Sequence, residues 1–167
     1  MTARLEPLTP ADFASAGALA RTIWHAHYGP LIGAAQVDYM LDRRFTAAGL
    51  AAYVGAADRG FDLLRDGDAL IGYCSYGPGG EPGELKLEQL YLLPDRHGQG
   101  LGRLMLGHVE ARARALGCDR MMLMVAKANT KSKAVYERAG FTVRGPVTVD
   151  IGGGFVMDDY VMEKRLA

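Results

Sequence analysis

The chain has 167 residues, in which nineteen basic and nineteen acidic side chains cancel and two cysteines occur. That length predicts one domain spanning 1–167 with a real core, and the cancelled charge argues against a nucleic-acid surface or a polybasic membrane anchor. No basic-then-apolar leader precedes Ala3, and no apolar run approaches membrane-spanning length. Cys74 and Cys118 are too few and too far apart for a disulfide framework or a metal knuckle. A cytoplasmic protein with reduced thiols and no metal is therefore expected.

Ala3 to Leu8 reads as a first strand. Thr9 is placed to cap a helix with Pro10 at its first position and Asp12 in its first turn. That helix carries Phe13, Ala16, Leu19, Ala20 and Ile23 on one face, runs to about His27, and is ended by Tyr28-Gly29-Pro30. Its His25 and His27 are two residues apart and diverge, so they line a cleft or end the helix rather than bind a metal. A second helix over roughly 35–43 has Val37, Met40 and Leu41 as its apolar side, and Thr46 caps a third from Ala47 to about Ala57. Phe61 to Arg65 and Ala69 to Tyr76 form a hairpin through Asp66-Gly67-Asp68. The proline- and glycine-rich run 77–83 is a loop, and Leu85, Leu87, Leu90, Leu92 and Leu93 then mark a central strand that Pro94 stops. Met121 to Val125 reads as a buried strand. Asn129 or Thr130 starts a helix that ends near Gly140, and Phe141 to Val149 and Phe155 to Glu163 are two last strands joined through Gly152-Gly153-Gly154.

Between the central strand and the residues after it lies a turn in which Gly98, Gly100 and Gly102 alternate with Gln99 and Leu101. Leu101, Leu104, Met105, His108, Val109, Arg112 and Leu116 follow at helical spacing, so the turn opens an amphipathic helix. Glycines let backbone approach a ligand closely, and a helix start offers unpaired N–H groups, which together suit a phosphate or pyrophosphate. A dinucleotide fingerprint needs its third glycine elsewhere, and a P-loop needs G-K-[ST] after the glycines. A tight glycine turn without a ligand stays open on spacing alone.

The run His97-Gly98-Gln99-Gly100-Leu101-Gly102, after a strand and before a helix, resembles the acetyl-coenzyme A motif of the GCN5-related N-acetyltransferases. So does Asn129-Thr130-Lys131-Ser132-Lys133-Ala134-Val135-Tyr136-Glu137-Arg138-Ala139-Gly140-Phe141, which is similar to that family's N-x-x-A-x-x-x-Y-E-x-x-G-F signature. The resemblance implies an α/β (α+β) fold, a mixed, mostly antiparallel sheet of about seven strands flanked by helices. It implies acetyl-coenzyme A as cosubstrate, with the backbone of Leu90, Tyr91 and Leu92 pairing the pantetheine arm as one more strand would. The amides of Gln99 to Arg103, with His97 and Gly98 ahead of them, would face the pyrophosphate. Asn129 would meet the arm, or simply cap its helix, and Tyr136 would protonate the departing thiolate. Two departures are visible: His97 stands where relatives carry Gln or Arg, with Arg96 just ahead, and Lys86 lies near where many carry a glutamate base.

An acceptor amine with a lysine-like pKa of about 10.4 is scarcely neutral at pH 7, so transfer needs a proton acceptor. Glu88 is the first candidate, directly or through a water, and Glu84 the second; with Lys86 between them they also read as a charged strand face. Acidic residues at the start of the last strand, Asp158 and Asp159, would attract a cation or form a charged sheet edge. The stretch IWHAHYGPLIGAAQVDYMLDRRF is loosely similar to bacterial spermidine/spermine acetyltransferases. The expected partner is a small-molecule amine, a polyamine or another small amine, with no nucleic acid or membrane; the resemblance leaves a homodimer open. Two other readings stand beside it: a module that senses acetyl-coenzyme A without turnover, and a transferase for protein or peptide amines.

Overall fold

The computed structural model describes residues 3 to 166 and arranges seven strands in one sheet. In chain order these are β1 (Ala3–Pro7), β2 (Gly60–Asp66), β3 (Ala69–Pro78), β4 (Glu84–Leu92), β5 (Arg120–Ala126), β6 (Thr142–Gly152) and β7 (Phe155–Arg165). Laterally they run β1-β2-β3-β4-β5-β7-β6, and every neighbouring pair is antiparallel except β4 with β5. The helices are α1 (Phe13–Ile32), α2 (Ala34–Arg44), α3 (Ala47–Ala51), α4 (Leu101–Ala115) and α5 (Thr130–Arg138). The expected mixed, mostly antiparallel sheet flanked by helices is thus what forms.

Two apolar cores cover the sheet's faces. One packs Leu85, Leu87, Met121, Leu123 and Phe141 against Met105 and Val109 of α4. The other packs Leu63 and Tyr73 against Leu19, Ile23, Trp24, Val37 and Leu41 from α1 and α2. Each fully buried leucine or isoleucine contributes roughly 2 kcal/mol through removal from water.

Two irregularities in β4 position the site. Ser75 of β3 faces Gln89 while the next residue, Tyr76, faces Leu87, so Glu88 is an extra residue bulged out of the ladder. The bulge switches the alternation: Leu85 and Leu87, then Leu90 and Leu92, meet the α4 core, while Gln89 and Tyr91 turn toward the other face. The parallel pairing of β4 with β5 covers only Glu84–Lys86 against Arg120–Met122. Beyond it both strands continue without pairing, and a gap opens between them.

Several boundaries differ from the sequence expectation. α1 does not end at Tyr28-Gly29-Pro30; it continues through Pro30 to Ile32 and stops at Gly33, whose φ is 86°. Pro30 removes one N–H bond, whereas Trp24 and Tyr28 pack by ring contacts against Tyr91 and each other. α3 stops at Ala51, well short of Ala57, although Thr46 caps it as expected by accepting from the Gly49 N–H at 3.0 Å. On α4 the buried row is Leu101, Met105, Val109 and Ala113, with Leu106, whereas Leu104 and Leu116 are exposed. β7 lies between β5 and β6, so Asp158 and Asp159 do not form a sheet edge.

Candidate active site

The backbone after β4 is shaped by its glycines. Gly98 and Gly100 have φ of 80° and 77°, in the left-handed region that side chains disfavour. The chain then enters α4, where the Leu104 N–H reaches the Gly100 carbonyl at 3.1 Å. The amides of Leu101, Gly102 and Arg103 precede that bond and have no helical acceptor. A Cβ added at Gly98, Gly100 or Gly102 would meet nothing within 4 Å, so this loop faces open space. Gln99 and His97 are exposed there. Arg96 is held by Asp66 at 2.8 Å, so its charge is partly neutralised away from the loop.

The gap between β4 and β5 leads from that loop to the start of α5. Asn129 is buried and does two things at once: its Oδ1 accepts from the Ser132 N–H at 3.2 Å, and its Nδ2 lies 2.9 Å from His27 Nε2. An amide nitrogen only donates, so His27 accepts and is neutral there. Burial, then the neighbouring His97 and Lys131, holds the His27 pKa below the ordinary imidazole value, which agrees with that role. α1 and the start of α5 are therefore joined by this bond, with His97 of the glycine loop near enough to act on His27 through space. His25 turns away to Asp38 at 2.8 Å, so the two histidines diverge.

Tyr136 stands inside α5, half-buried, with its ring 5.7 Å from that of Phe141. Burial raises its hydroxyl pKa far above the phenol value, with Tyr28 adding to the shift. Tyr28 and Tyr91 join their hydroxyls at 2.7 Å. Behind them a buried chain runs from Trp24 Nε1 to Tyr73 (2.7 Å), from Tyr73 to Gln89 (2.9 Å) and from Gln89 to Ser75 (3.1 Å). These bonds satisfy the polar groups that the bulge turns inward, while Tyr91 is held by its bond to Tyr28 and by ring contacts with Trp24 and Tyr73.

On the far side of the tyrosine pair lies a cavity of about 400 Å³. Tyr28 and Tyr91 line it, together with Glu88, Lys86 and Asp159 and with Arg43 and Arg44 of α2. Glu88 Oε1 accepts from the Tyr53 hydroxyl at 2.6 Å. Burial, then the Glu88 carboxylate, pushes Tyr53 up to about 12, so it remains a donor. Glu84 has a different fate. It is buried, pairs with Arg144 at 2.9 Å and Arg120 at 3.7 Å, and accepts from the Gly80 N–H at 3.2 Å. It anchors the start of β4, so Glu84, Lys86 and Glu88 do not form one solvated face.

Sequence reasoning singled out the loop, Asn129, Tyr136 and Glu88; of these Glu88 lines the cavity with the tyrosine pair, while the loop follows β4 and Asn129 and Tyr136 stand at the start of and inside α5. It missed the roles of His27, Tyr53, Lys86, Arg43 and Arg44, which arise from contacts between distant elements. For a long ligand with a pyrophosphate at one end and amides along an arm, the residues present fit. Open glycine backbone with free N–H groups stands at the mouth, and an unpaired strand edge runs inward from it.

Comparisons with known proteins agree with this geometry. The Acetyltransferase (GNAT) family matches residues 21–141. An uncharacterised N-acetyltransferase of Mycobacterium bovis is 30% identical over 137 residues, covering 82% of this chain and 86% of its own. An L-methionine sulfoximine/L-methionine sulfone acetyltransferase of Pseudomonas aeruginosa is 32% identical over 96 residues, covering 53% and 55%. Among solved structures, the PaiA N-acetyltransferase of Thermoplasma acidophilum in complex with coenzyme A superposes with a TM-score of 0.83 over 99% of this chain and 100% of that one. At 20% identity that likeness is one of fold. With its cleft, its glycine loop and a family match across most of its length, the chain belongs to the GNAT family of acetyltransferases.

Proposed function

We propose that the chain moves the acetyl group of acetyl-coenzyme A to the primary amine of a small molecule, by direct attack while both substrates are bound. The observation that carries this reading is the short β4–β5 pairing, which leaves Leu90 to Leu92 unpaired toward β5, just ahead of the glycine loop and beside the cavity that Glu88 and Tyr91 line. Acetyl-coenzyme A supplies an acyl group already activated as a thioester. The amides from Gln99 to Arg103, beside His97 and Gly98, would hold its pyrophosphate, and the free side of Leu90, Tyr91 and Leu92 would pair with its arm. Asn129, fixed by His27 and Ser132, would orient that arm.

The protein's own groups then handle protons. Tyr136 remains protonated through neutral pH because burial raises its pKa, so it would have a proton to give to the leaving sulfur. Glu88 keeps Oε2 for the ammonium proton, directly or through a water, while Tyr53 holds Oε1. Direct attack is supported by the thiols. Cys74 is fully buried and burial pushes its pKa up, and burial also raises Cys118, so neither is an activated nucleophile. A small-molecule acceptor suits the size of the cavity, and the similarity to an amino-acid acetyltransferase points the same way.

The test is to incubate the purified chain with acetyl-coenzyme A and a panel of polyamines, amino acids, other small amines and lysine peptides, and to look for acetylated products by mass spectrometry. A small acetylated amine is the expected result. Acetylation of peptides alone would move the acceptor to protein amines. Thermal stabilisation by acetyl-coenzyme A with no product would replace catalysis with sensing.

A further inference from the structure

The wall of the cavity carries a charge pattern that catalysis alone does not require. Arg43 and Arg44 come from the last turn of α2, and Lys86 comes from β4. Among the described residues none of the three has an ion-pair partner. Arg43 stacks over the Tyr39 ring at 4.4 Å, which fixes the guanidinium without occupying its N–H donors.

Asp159, on β7, lines the same cavity and is 5% exposed; its Oδ1 is buried with no hydrogen-bond partner among the described residues, and Lys86 acts on it through space without a hydrogen bond. Its neighbour Asp158 points outward to Lys127 at 2.9 Å, so the two aspartates have separate roles. A buried carboxylate oxygen without a donor costs stability, and such a group in a cavity wall marks a place where a ligand supplies the donor. Glu88 accepts from Tyr53 through Oε1, whereas the Asp159 oxygen is the acceptor in this wall that is buried without any donor among the described residues.

We propose that the cavity takes an amine that carries a carboxylate, with Arg43 and Arg44 receiving the carboxylate and Asp159 receiving the ammonium. A polyamine would bring several positive charges toward Arg43 and Arg44, whereas an amino carboxylate finds an opposite charge at each end. Ile32, Met40 and Met157 are among the apolar residues of the wall and suit an apolar side chain. The proposal rests on the acetyl-transfer reading only for the fate of the amine; the binding site stands on the wall itself. Asp159 is a substrate-binding residue here, and Glu88 keeps the proton-accepting role.

The experiment is calorimetric titration of the chain saturated with coenzyme A, using L-leucine, L-methionine and L-phenylalanine. Each is compared with its amide, its decarboxylated amine and spermidine. At least one amino acid is expected to bind, and its amide to bind at least about ten-fold more weakly, as loss of charge-assisted bonds implies. The double variant Arg43→Gln/Arg44→Gln should erase that preference. Asp159→Asn should weaken the amino acid and the decarboxylated amine alike and leave coenzyme A affinity unchanged, which also shows that the variant is folded. The comparison among ligands needs no variant at all. If none of the three amino acids binds better than its decarboxylated amine, or if spermidine binds better than all of them, the proposal is overturned. Amino-acid binding with this pattern but no acetylated product would remove the transfer reading and keep the subsite. Acetylated spermidine without amino-acid binding would do the reverse.

Discussion

Tyr136 is where a single oxygen separates the chemistry from the packing. Tyr136→Phe keeps the ring against Phe141 and removes only the hydroxyl. The turnover number should fall by about 10²–10⁴ if acid catalysis is fully exercised, with KM changing much less. Unchanged turnover, with chemistry shown to be rate-limiting, would return Tyr136 to a packing role. Gly102 tests the loop more cleanly than Gly100, whose φ of 77° adds strain to any substitution. Gly102 lies in α4 with nothing within 4 Å of an added Cβ, so Gly102→Glu should fold normally. Its carboxylate would face the pyrophosphate, and coenzyme A affinity should drop by more than about ten-fold in calorimetry. Asp159 carries the opposite balance, function at the expense of stability. Burial, then Asp158, raises its folded pKa above the ordinary 3.8, so the folded chain holds that proton more tightly than the unfolded chain does. Its ionisation therefore destabilises the fold as pH rises from the ordinary carboxylate value through the folded one. In urea melts without ligands, Asp159→Asn should be more stable than the parent at neutral pH. The difference should close as the solution is acidified below the ordinary carboxylate range; a less stable variant at neutral pH would contradict this.

At the scale of elements, local chemistry was legible and contact chemistry was not. The Asp66-Gly67-Asp68 turn, Pro94 after β4, and the caps Thr46 and Asn129 were readable because each acts within a few residues. The bulge at Glu88 was also written in the leucines, spaced 85, 87, then 90, 92, a break in the period of two that the strand reading passed over. The passage of α1 through Pro30 was not legible, because ring packing on Tyr91 outweighs one lost hydrogen bond. Nor was the link from His27 to Asn129, which joins residues 102 positions apart. That link gives Asn129 a larger role than a cap alone. Asn129→Ala should cost about 1–2 kcal/mol in denaturant unfolding, since it removes the cap and also leaves His27 without its donor. It should weaken coenzyme A binding as well. A loss of a few tenths of a kcal/mol would mean that the cap and the link contribute little.

For the whole molecule the deciding feature is the short pairing of β4 with β5. A parallel pair that ran its full length would close the sheet, and the glycine loop would have no path to the cavity. Because only Glu84–Lys86 pair with Arg120–Met122, both faces of the chain contribute to one site. In the proposed reading α4 would supply the anion-binding end from one side, and α1 and α2 would supply the acceptor wall from the other. The paired glycine and Asn129–Tyr136 motifs were legible in the sequence and marked the ends of β4 and β5. The acceptor wall depends on α2, Lys86 and β7 converging, which no local pattern records. A cleft built this way would hold two substrates together, and neither cysteine is activated to carry an acyl group between them. The most direct measurement is the initial rate of thiol release with acetyl-coenzyme A and an accepted amine both varied. Intersecting double-reciprocal lines, with release that requires the amine, are the result predicted for direct transfer in a ternary complex. Parallel lines with an acetylated protein intermediate, or thiol release that ignores the amine, would contradict it.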